Sequence, residues 1–203
     1  QTINGQTFPH LPLSQFPDMQ NNIIAIVWAY DTPLGDMISM WRTNDDCAQL
    51  LKSYQEYFWQ DNVFLEVIPQ DPKYNEKLAT ANTTIWELHK QTNIPIIVTS
   101  NFHYIHKSDK EAYDIARCIK DWKRVYDDDR RKTFGDFHIT SVEETESMCQ
   151  KNGFTESQIA TLCETTEQVA AMIDVEIPLH DLLFPVYESP EWIKELYEKF
   201  LQQ

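Results

Sequence analysis

The sequence has 203 residues, of which 42% are hydrophobic and 24% charged, and this composition excludes a disordered or collagen-like chain. Its 32 acidic and 17 basic side chains give a formal net charge of -15, and a surface of that sign repels nucleic-acid phosphates. No apolar run approaches the roughly 20 residues of a membrane span, and no leader pattern opens the chain. We therefore expect a cytoplasmic protein of one domain, with or without an appendage, that makes no direct nucleic-acid or membrane contact. Because the first residue is Gln1 and not methionine, we also expect an excised fragment of a longer product.

Three short apolar runs alternate with amphipathic patterns in the first half of the chain. The runs cover 23–28, 62–68 and 94–99 and are rich in β-branched residues. Between them, apolar residues recur at three-to-four spacing from about 45 to 59 and from 71 to about 90, which predicts helices. Buried strands separated by helices indicate parallel βαβ units. The predicted fold class is therefore α/β, and we expect functional groups at the carboxyl ends of the strands.

The second half of the chain has the pattern of successive helices. The first of them is predicted to begin with a capping box of Ser108 and Glu111 and to end near Trp122. Four residues form its apolar face: Ala112, Ile115, Ala116 and Ile119. Three later helices are predicted over 141–152, 155–173 and 191–201. We therefore divide the chain into an α/β part, 1–125, and a helical extension, 126–203.

The loop after the third strand holds the first candidate site. It contains His103, and Asn101 precedes that histidine by two residues. Neutral imidazole is the commonest protein ligand of zinc-class metals, and the Asn101 amide oxygen would add a second ligand. One loop supplies two ligands at most, whereas a catalytic metal site needs three protein ligands or more. From spacing alone, a structural or solvent-exposed His103 is the favoured alternative.

Several carboxylates are further candidates for a site. Glu66 lies in an otherwise apolar strand, so its carboxylate must be paired or face a cavity, and it is either a site-lining or a scaffold acid. Asp31, in the loop after the first strand, is another candidate lining residue. The acidic run 127–129 could hold Mg²⁺. Because the basic run 130–132 follows it directly, charge compensation between the two runs is the favoured interpretation.

Other features have structural explanations. The four cysteines show no C-x-x-C pairing and are predicted to be reduced structural thiols. The apolar stripe of 188–200 is better explained by packing against a neighbour or another domain than by a cofactor site. With 4 glycines in the whole chain, a glycine-rich phosphate loop is excluded.

A series of short pieces follows one known order. The pieces are 64–67 (FLEV), 94–99 (IPIIVT), 99–104 (TSNFHY), 107–115 (KSDKEAYDI), 118–119 (CI), 137–148 (FHITSVEETESM), 165–170 (TTEQVA) and 183–185 (LFP). This order resembles the polymerase-and-histidinol-phosphatase (PHP) domain of the bacterial replicative DNA polymerase III alpha subunit. The resemblance covers about residues 20 to 203.

The resemblance implies a distorted barrel of the (β/α)7 PHP type, of which this chain supplies the later part. A helical extension would then lead toward the polymerase palm. Family members that keep the full set of His, Asp, Glu and Cys ligands bind a metal cluster, and some show 3′-to-5′ exonuclease activity. Others keep the barrel as a scaffold that binds a separate proofreading subunit.

The resemblance also implies a depleted ligand set. Residue by residue, His103 alone matches a metal ligand of the family pattern. Asn101 stands where the family often has aspartate, and Ala29 and Tyr30 occupy the place of its cysteine ligand; the earlier ligands would lie upstream of Gln1. Loss of anionic ligands removes the charge that offsets a divalent ion. The expected metal site is therefore degenerate, with no tightly bound cofactor, and Zn²⁺, Mn²⁺ or Mg²⁺ would bind only if the parent protein completes the site.

We therefore expect a PHP-domain segment of a DNA polymerase III alpha subunit that serves as a scaffold and partner-binding module. Its partners would be the other polymerase domains of the parent chain and a proofreading exonuclease subunit. The parent would be a DNA-directed DNA polymerase, a nucleotidyltransferase, and this fragment alone would be inactive.

Two alternatives remain at this stage. The first is a metal-dependent phosphoesterase or 3′-to-5′ exonuclease of the PHP superfamily, with an incomplete ligand set of His103, Asn101, Glu66 and Asp31. The second is an interaction protein that uses the barrel only as a platform and has no polymerase downstream.

Overall fold

A computed structural model of the chain describes residues 2–3, 6–7, 23–29, 32–132, 135–176 and 190–201. The chain divides into two compact units, Gln1–Met172 and Ile173–Gln203, each of which is described by itself. The predicted boundary between a barrel part, 1–125, and a helical extension, 126–203, stays a prediction. Asp31 and the 183–185 piece lie outside the described residues.

Strands and helices alternate in the first unit, and a single helix is described in the second. The elements are β1 (Thr2–Ile3), β2 (Gln6–Thr7), β3 (Ala25–Trp28), α1 (Pro33–Ser39), α2 (Asn44–Phe58), β4 (Val63–Val67), α3 (Glu76–Thr92), β5 (Ile96–Val98), α4 (Lys110–Lys120), α5 (Val142–Lys151), α6 (Glu156–Met172) and α7 (Glu191–Leu201). Short 3₁₀ turns precede β4 and α4, at Gln60–Asn62 and Lys107–Asp109.

Three strands form a parallel sheet in the order β3-β4-β5. The register pairs Val27 with Leu65, and Leu65 with Ile96. The two-residue strands β1 and β2 pair antiparallel in a separate ribbon. The predicted α/β class and its three parallel strands are confirmed, and each strand is shorter than the apolar run that predicted it. The seven-stranded barrel stays a prediction.

The central strand β4 is covered on both faces, which explains its continuous apolar run. Leu65 and Val67 belong to the main core, which α2 and α3 cover. Phe64, on the opposite face, packs with Ile97 and with Val169 of α6. Leu65 is fully buried, and truncation of such a leucine to alanine typically costs about 2–5 kcal/mol.

The helix α3 begins later than its pattern indicates. The predicted start was Asp71, whereas the helix begins at Glu76 after the N-cap residue Asn75. The Asp71 carboxylate accepts a hydrogen bond from the backbone N–H of Lys73 at 3.1 Å and lies 3.1 Å from the ammonium of Lys151. A carboxylate that binds the backbone two residues onward stabilises a turn, and this competes with helix initiation.

The helix α4 differs from the prediction in both its start and its orientation. His106 and Asp109 form the capping box in place of Ser108 and Glu111, and the Asp109 carboxylate accepts from the His106 N–H at 2.9 Å. Within α4 the buried residue is Cys118. The residues of the predicted apolar face are instead exposed to solvent: Ala112, Ile115, Ala116 and Ile119.

The helices α5 and α6 close the first unit. The predicted capping box at the start of α5 is confirmed, since the Ser141 hydroxyl accepts from the Glu144 N–H and the Glu144 carboxylate accepts from the Ser141 N–H. The helix α6 packs on β5. There the Thr166 hydroxyl accepts a hydrogen bond from the Val98 N–H at 3.0 Å. A side chain of α6 thus satisfies a backbone group of β5 at the edge of the described sheet.

The second unit contains α7. Trp192, Tyr197, Phe200 and Leu201 on this helix are exposed. The predicted packing of its apolar stripe against a neighbour stays a prediction. Among the described residues, each helix is too short or too polar to cross a membrane.

Candidate functional site

The loop after β5 carries two of the predicted site residues and is held by a second loop. The backbone N–H of His103 donates to the Phe137 carbonyl at 2.7 Å, and the Ile139 N–H donates to the Tyr104 carbonyl at 3.1 Å. The Tyr104 hydroxyl accepts a hydrogen bond from the Phe137 N–H at 2.9 Å. These hydrogen bonds hold the segment 135–140 against the loop that follows β5. That loop lies at the carboxyl end of the strand, where functional sites of α/β proteins form.

The imidazole of His103 is oriented by aromatic neighbours. It stacks on the ring of Tyr113, with the ring centroids 5.2 Å apart and an angle of 7° between the planes. The ring of Phe137 lies against it at 5.4 Å. The residue as a whole is exposed. His103 is thus a positioned imidazole whose described ring contacts are aromatic.

A groove of about 390 Å³ lies between this loop and α4. We call it the cationic groove, and its lining residues are Asn101, His103, Tyr113, Ala116, Arg117, Lys120, Arg131 and Phe137. Three of these side chains are basic, and no described lining residue carries a carboxylate. On a chain of net charge -15, the cationic groove is a local reversal of sign that attracts anionic groups.

Two of the cations in the groove are held in place. The guanidinium of Arg131 makes a two-pronged ion pair with the carboxylate of Asp121, including one hydrogen bond of 2.7 Å. The hydrogen bond from Arg131 lowers the pKa of Asp121 below its ordinary value. The Arg117 guanidinium lies 5.8 Å from the centroid of the Tyr113 ring. These contacts fix both guanidinium groups in place, and the Asp121 carboxylate offsets the charge of Arg131.

The ion pairs differ from those predicted between the runs 127–129 and 130–132. Asp129 pairs with Lys123, and Arg130 lies 3.9 Å from Asp114 of α4. Arg131 pairs with α4's neighbour Asp121. The basic run therefore pairs with acids that precede the acidic run, and this leaves Arg131 positioned at the cationic groove.

A second, much smaller cavity of about 20 Å³ adjoins the loop. Asn101 lines both cavities, and Asp136 and His138 line the smaller one. His138 is 6% exposed; its Nε2 lies 3.3 Å from the Glu144 carboxylate, and its Nδ1 has no hydrogen-bond partner among the described residues. A space of this size holds one water molecule. The small cavity is therefore suited to a bridging water.

Asp136 is kept ionised beside this small cavity. Burial raises the pKa of Asp136, but the hydrogen bond and charge of Lys107 and the charge of Lys110 outweigh burial, so that the pKa lies below its ordinary value. The ammonium groups lie 3.2 Å and 3.6 Å from the carboxylate. Since these two cations neutralise Asp136, the small cavity has no free anionic ligand on this side.

Glu66 is paired with a neighbour and lines neither cavity. Its carboxylate accepts a hydrogen bond of 2.6 Å from the Thr99 hydroxyl. Burial raises the pKa of Glu66, and the Thr99 hydrogen bond offsets only part of that rise. Whether Glu66 is a site-lining or a scaffold acid stays a prediction. Asp31, the other predicted lining acid, lies outside the described residues.

The described donors do not fit a metal ion. Among the described residues, no three His, Cys, Asp or Glu side chains converge in a way that could hold one. His103 and Asn101 both line the cationic groove, but the other lining residues are basic, aromatic or alanine. Two neutral donors fall short of the three protein ligands that a catalytic zinc-class site requires. The degenerate metal site of the parent protein stays a prediction.

Sequence reasoning missed the residues that give the groove its charge. Arg117 and Lys120 lie on α4 at the spacing that places side chains on one helical face. That spacing is a usable signal, although the apolar residues of the same helix give a stronger pattern. The sequence gives no such signal for Arg131. Its partner is Asp121, but the acids 127–129 are closer to it in sequence and look like the more obvious partners.

Sequence comparison relates the chain to known proteins. No known protein-family profile matches the chain. The DNA polymerase III subunit alpha of Treponema pallidum is 31% identical over 140 residues, which is 68% of this chain and 11% of that protein. The same subunit of Deinococcus radiodurans is 24% identical over 176 residues, 84% of this chain and 12% of that protein. The same subunit of Mycobacterium tuberculosis is 22% identical over 198 residues, which is 90% of this chain and 16% of that protein.

These similarities relate the α/β chain to a segment of a DNA replication polymerase. More particularly, the related polymerase is the DNA polymerase III alpha subunit, which is what all three relatives are. The chain spans only 11% to 16% of the length of these relatives. An alignment over 90% of the chain includes the sheet as well as helices that follow it.

Proposed function

We propose that the chain is a segment of the PHP domain of a DNA polymerase III alpha subunit and acts there as a scaffold and partner-binding module with a degenerate metal site. The observation that carries this proposal is the chemistry of the loop after β5. The candidate metal ligand of that loop, His103, stands beside the neutral amide of Asn101 and three cations. Cations repel a divalent metal ion, whereas a working site surrounds the ion with anionic donors.

The sheet supports placement in a larger barrel. The strand β3 forms one end of the described parallel sheet, and Ile26 on it is 47% exposed. In a closed barrel, further strands of the parent protein would extend the sheet beyond β3, and inward-facing side chains would fill the interior. The exposed isoleucine on β3 is the kind of apolar side chain that such a neighbouring strand would cover.

The parent protein would then be a DNA-directed DNA polymerase of the cytoplasm, and this segment would contact its other domains and a proofreading exonuclease subunit. The acidic surface supports a protein-binding role, because a net charge of -15 disfavours direct contact with a phosphate backbone. In this arrangement the nucleic acid would be bound by other parts of the polymerase.

A second candidate is a metal-dependent phosphoesterase or 3′-to-5′ exonuclease of the same superfamily. The observation that favours it is the cationic groove, where a positioned imidazole lies beside Arg117, Lys120 and Arg131. Such a groove would attract the phosphate of a substrate. The candidate requires that other parts of the parent protein supply the anionic metal ligands.

The test uses the full-length parent protein, purified without chelators, and its His103→Ala variant. Bound metal is measured by mass spectrometry, and nuclease activity by nucleotide release from 3′-labelled single-stranded DNA. For a scaffold we expect equal metal content and equal nuclease activity in both proteins. The control is Phe102→Ala, an exposed neighbour in the same loop. Stoichiometric metal and nuclease activity that are both lost in His103→Ala but kept in Phe102→Ala would overturn the scaffold proposal in favour of the enzyme.

A further inference from the structure

The exposed side of α4 carries an apolar stripe. Ile115 is 41% exposed, Ile119 72% and Trp122 96%, and we call these three residues the α4 stripe. They follow the spacing i, i+4, i+7, which aligns side chains along one side of a helix and its end. The helix packs on the unit through the side that bears Cys118. The α4 stripe therefore contributes little to the stability of the described fold.

Trp122 occupies a backbone position that is unfavourable for tryptophan. Its φ is 55°, and the Lys123 N–H donates to the Cys118 carbonyl at 2.9 Å across it. This is the helix ending in which glycine usually holds the left-handed position. A residue with a Cβ costs about 1 kcal/mol there. Because the indole is almost fully exposed, packing within the described fold does not offset that cost.

Positive charge lies along one side of the α4 stripe. Lys120 follows Ile119 directly, and Ala116, which lies one turn before Lys120, lines the cationic groove together with Arg117 and Arg131. Glu111 lies one turn before Ile115 and continues the line of the α4 stripe toward the start of the helix. An apolar stripe with a cationic groove on one flank is complementary to a surface that is apolar at its centre and acidic on the matching flank.

We propose that the α4 stripe and the cationic groove together form the docking surface for an acidic amphipathic helix of a partner protein. This inference rests on the proposed scaffold function and names the surface and the chemistry of its partner. The apolar side of the incoming helix packs on Ile115, Ile119 and Trp122, and its carboxylates lie at Lys120. Tryptophan and arginine are the residue types that most often dominate binding energy at such interfaces.

A single strand of nucleic acid and a second copy of this chain are the competing occupants. A basic groove with aromatic walls can bind bases and phosphates, but Ile115 and Ile119 offer no ring on which a base could stack. A second copy would place another net charge of -15 against this chain, and that repulsion is larger than the repulsion of a single helix with a few carboxylates. Both occupants are outcomes of the test.

The test selects from a displayed library of random peptides of about 16 residues, enough for roughly four helical turns, on the full 203-residue chain. The best peptide is then synthesised with a fluorescent label, and its affinity is measured by anisotropy for the chain and four variants. Ile119→Asp removes the centre of the stripe, and Lys120→Glu reverses the neighbouring charge. The matched controls are Val142→Asp and Lys52→Glu, at exposed positions on α5 and α2. Circular dichroism shows that every variant is folded.

We expect the enriched peptides to be acidic, with apolar residues at three-to-four spacing. Their affinity should fall at least about tenfold in Ile119→Asp and in Lys120→Glu and stay unchanged in both controls. The proposal is overturned if no peptide is enriched, if the enriched peptides are neutral or basic, or if Ile119→Asp binds as well as the unchanged chain. Displacement of the peptide by oligothymidylate would overturn the proposal in favour of a single strand of nucleic acid. Displacement by self-association of the chain at high concentration would overturn it in favour of a second copy.

The outcome separates this inference from the scaffold proposal itself. Ile119 is not among the residues that line the groove at His103, so its substitution tests docking separately from the metal and nuclease measurements. If those measurements reveal an enzyme while acidic peptides still bind, the docking surface stands and the non-catalytic scaffold fails. If His103→Ala changes nothing and no peptide binds, the scaffold stands and its partner docks elsewhere.

Discussion

Asn82 of α3 and Asn152 at the end of α5 hydrogen-bond to each other in the core, with the Asn82 amide nitrogen 3.2 Å from the Asn152 amide oxygen. Asn82 also donates to the Ile68 carbonyl at 2.9 Å and accepts from the Ile68 N–H. Asn152 donates to the Gln70 carbonyl at 2.8 Å. The pair thus satisfies the backbone of the segment that leaves β4 and ties it to two helices far apart in sequence.

We expect Asn82→Leu to destabilise the chain by about 2–4 kcal/mol, because a leucine of similar size leaves the buried amide groups of Ile68 and Asn152 without partners. Urea unfolding followed by circular dichroism measures the loss. The control is Thr80→Ala on the exposed side of the same helix, for which we expect a change below about 0.5 kcal/mol. An Asn82→Leu protein as stable as its control would mean that the pair does not hold these elements together.

The second prediction concerns the edge of the sheet. Thr166→Val keeps the shape of the side chain but removes the hydroxyl that accepts from the Val98 N–H at 3.0 Å. We expect a loss of about 1–3 kcal/mol of unfolding free energy and faster hydrogen exchange of the Val98 amide. Thr165→Val is the matched control, since the Thr165 hydroxyl bonds only within its own helix, to the Thr161 carbonyl, among the described contacts. Equal exchange at Val98 in both variants would contradict the role assigned to Thr166.

Local signals in the sequence were sufficient where the competing interactions are also local. The capping box of Ser141 and Glu144 was predicted correctly because both partners lie within one helical turn. Asp71 was misjudged as a helix start, since its side chain prefers the turn at Lys73 and the ion pair with Lys151. That ion pair joins residues eighty positions apart and has no signature in the sequence.

Long-range contacts decide the remainder of the site. The apolar face of α4 is real, but a pattern of apolar residues does not say which element will cover it, and solvent covers Ile115 and Ile119 in the described structure. The stacking of His103 on Tyr113 depends equally on how a loop and a helix meet. Sequence reasoning therefore identified the loop of the candidate site, whereas its charge and its aromatic walls required the fold.

The third prediction is a pH dependence that originates at Glu66. Because burial raises the folded-state pKa of this carboxyl above its ordinary value of 4.5, the folded chain holds the proton more tightly than the unfolded chain. The stabilisation by the protonated Glu66 carboxyl is therefore fully present below about pH 4.5, and it is lost as the pH rises through the folded-state pKa. Glu66→Gln should remove this loss, so its stability relative to the unchanged chain should increase with pH.

Unfolding free energies measured by urea titration from pH 4 to pH 8 test this expectation. The glutamine side-chain oxygen can still accept the Thr99 hydrogen bond, so the two proteins should differ least at the acidic end. Glu164→Gln, at an exposed position on α6, is the control for the loss of one surface charge. A difference between Glu66→Gln and the unchanged chain that shrinks as the pH rises would show that the sign assigned to Glu66 is wrong.

The fourth prediction concerns the thiols, all of which are free. Burial raises the pKa of Cys149 to about 12; it also raises the pKa of Cys163, which is only half-buried. Since the thiolate is the reactive form, iodoacetamide at pH 8 should modify Cys163 at least about ten times faster than Cys149 in the folded chain. Peptide mass spectrometry over time gives both rates, and the same measurement in urea should make them similar. Faster modification of Cys149 in the folded chain would contradict the burial of this thiol.

The last prediction isolates the backbone strain at Trp41, which ends α1. Its φ is 57°, and the Arg42 N–H donates to the Met37 carbonyl at 3.0 Å across it, in the same helix ending as at Trp122. Any residue with a Cβ is strained there, so Trp41→Ala removes the exposed indole and keeps the strain. Trp41→Gly removes both.

We therefore expect Trp41→Gly to be about 1 kcal/mol more stable than Trp41→Ala, although glycine is the poorer residue at ordinary helical positions because of its greater freedom in the unfolded chain. Thermal and urea unfolding of the two variants measure the difference directly. A reference pair at Lys52, an exposed residue within α2, should show the opposite order, with Lys52→Gly less stable than Lys52→Ala by about 1 kcal/mol. The same order at both positions would mean that residue 41 does not hold a left-handed backbone in solution.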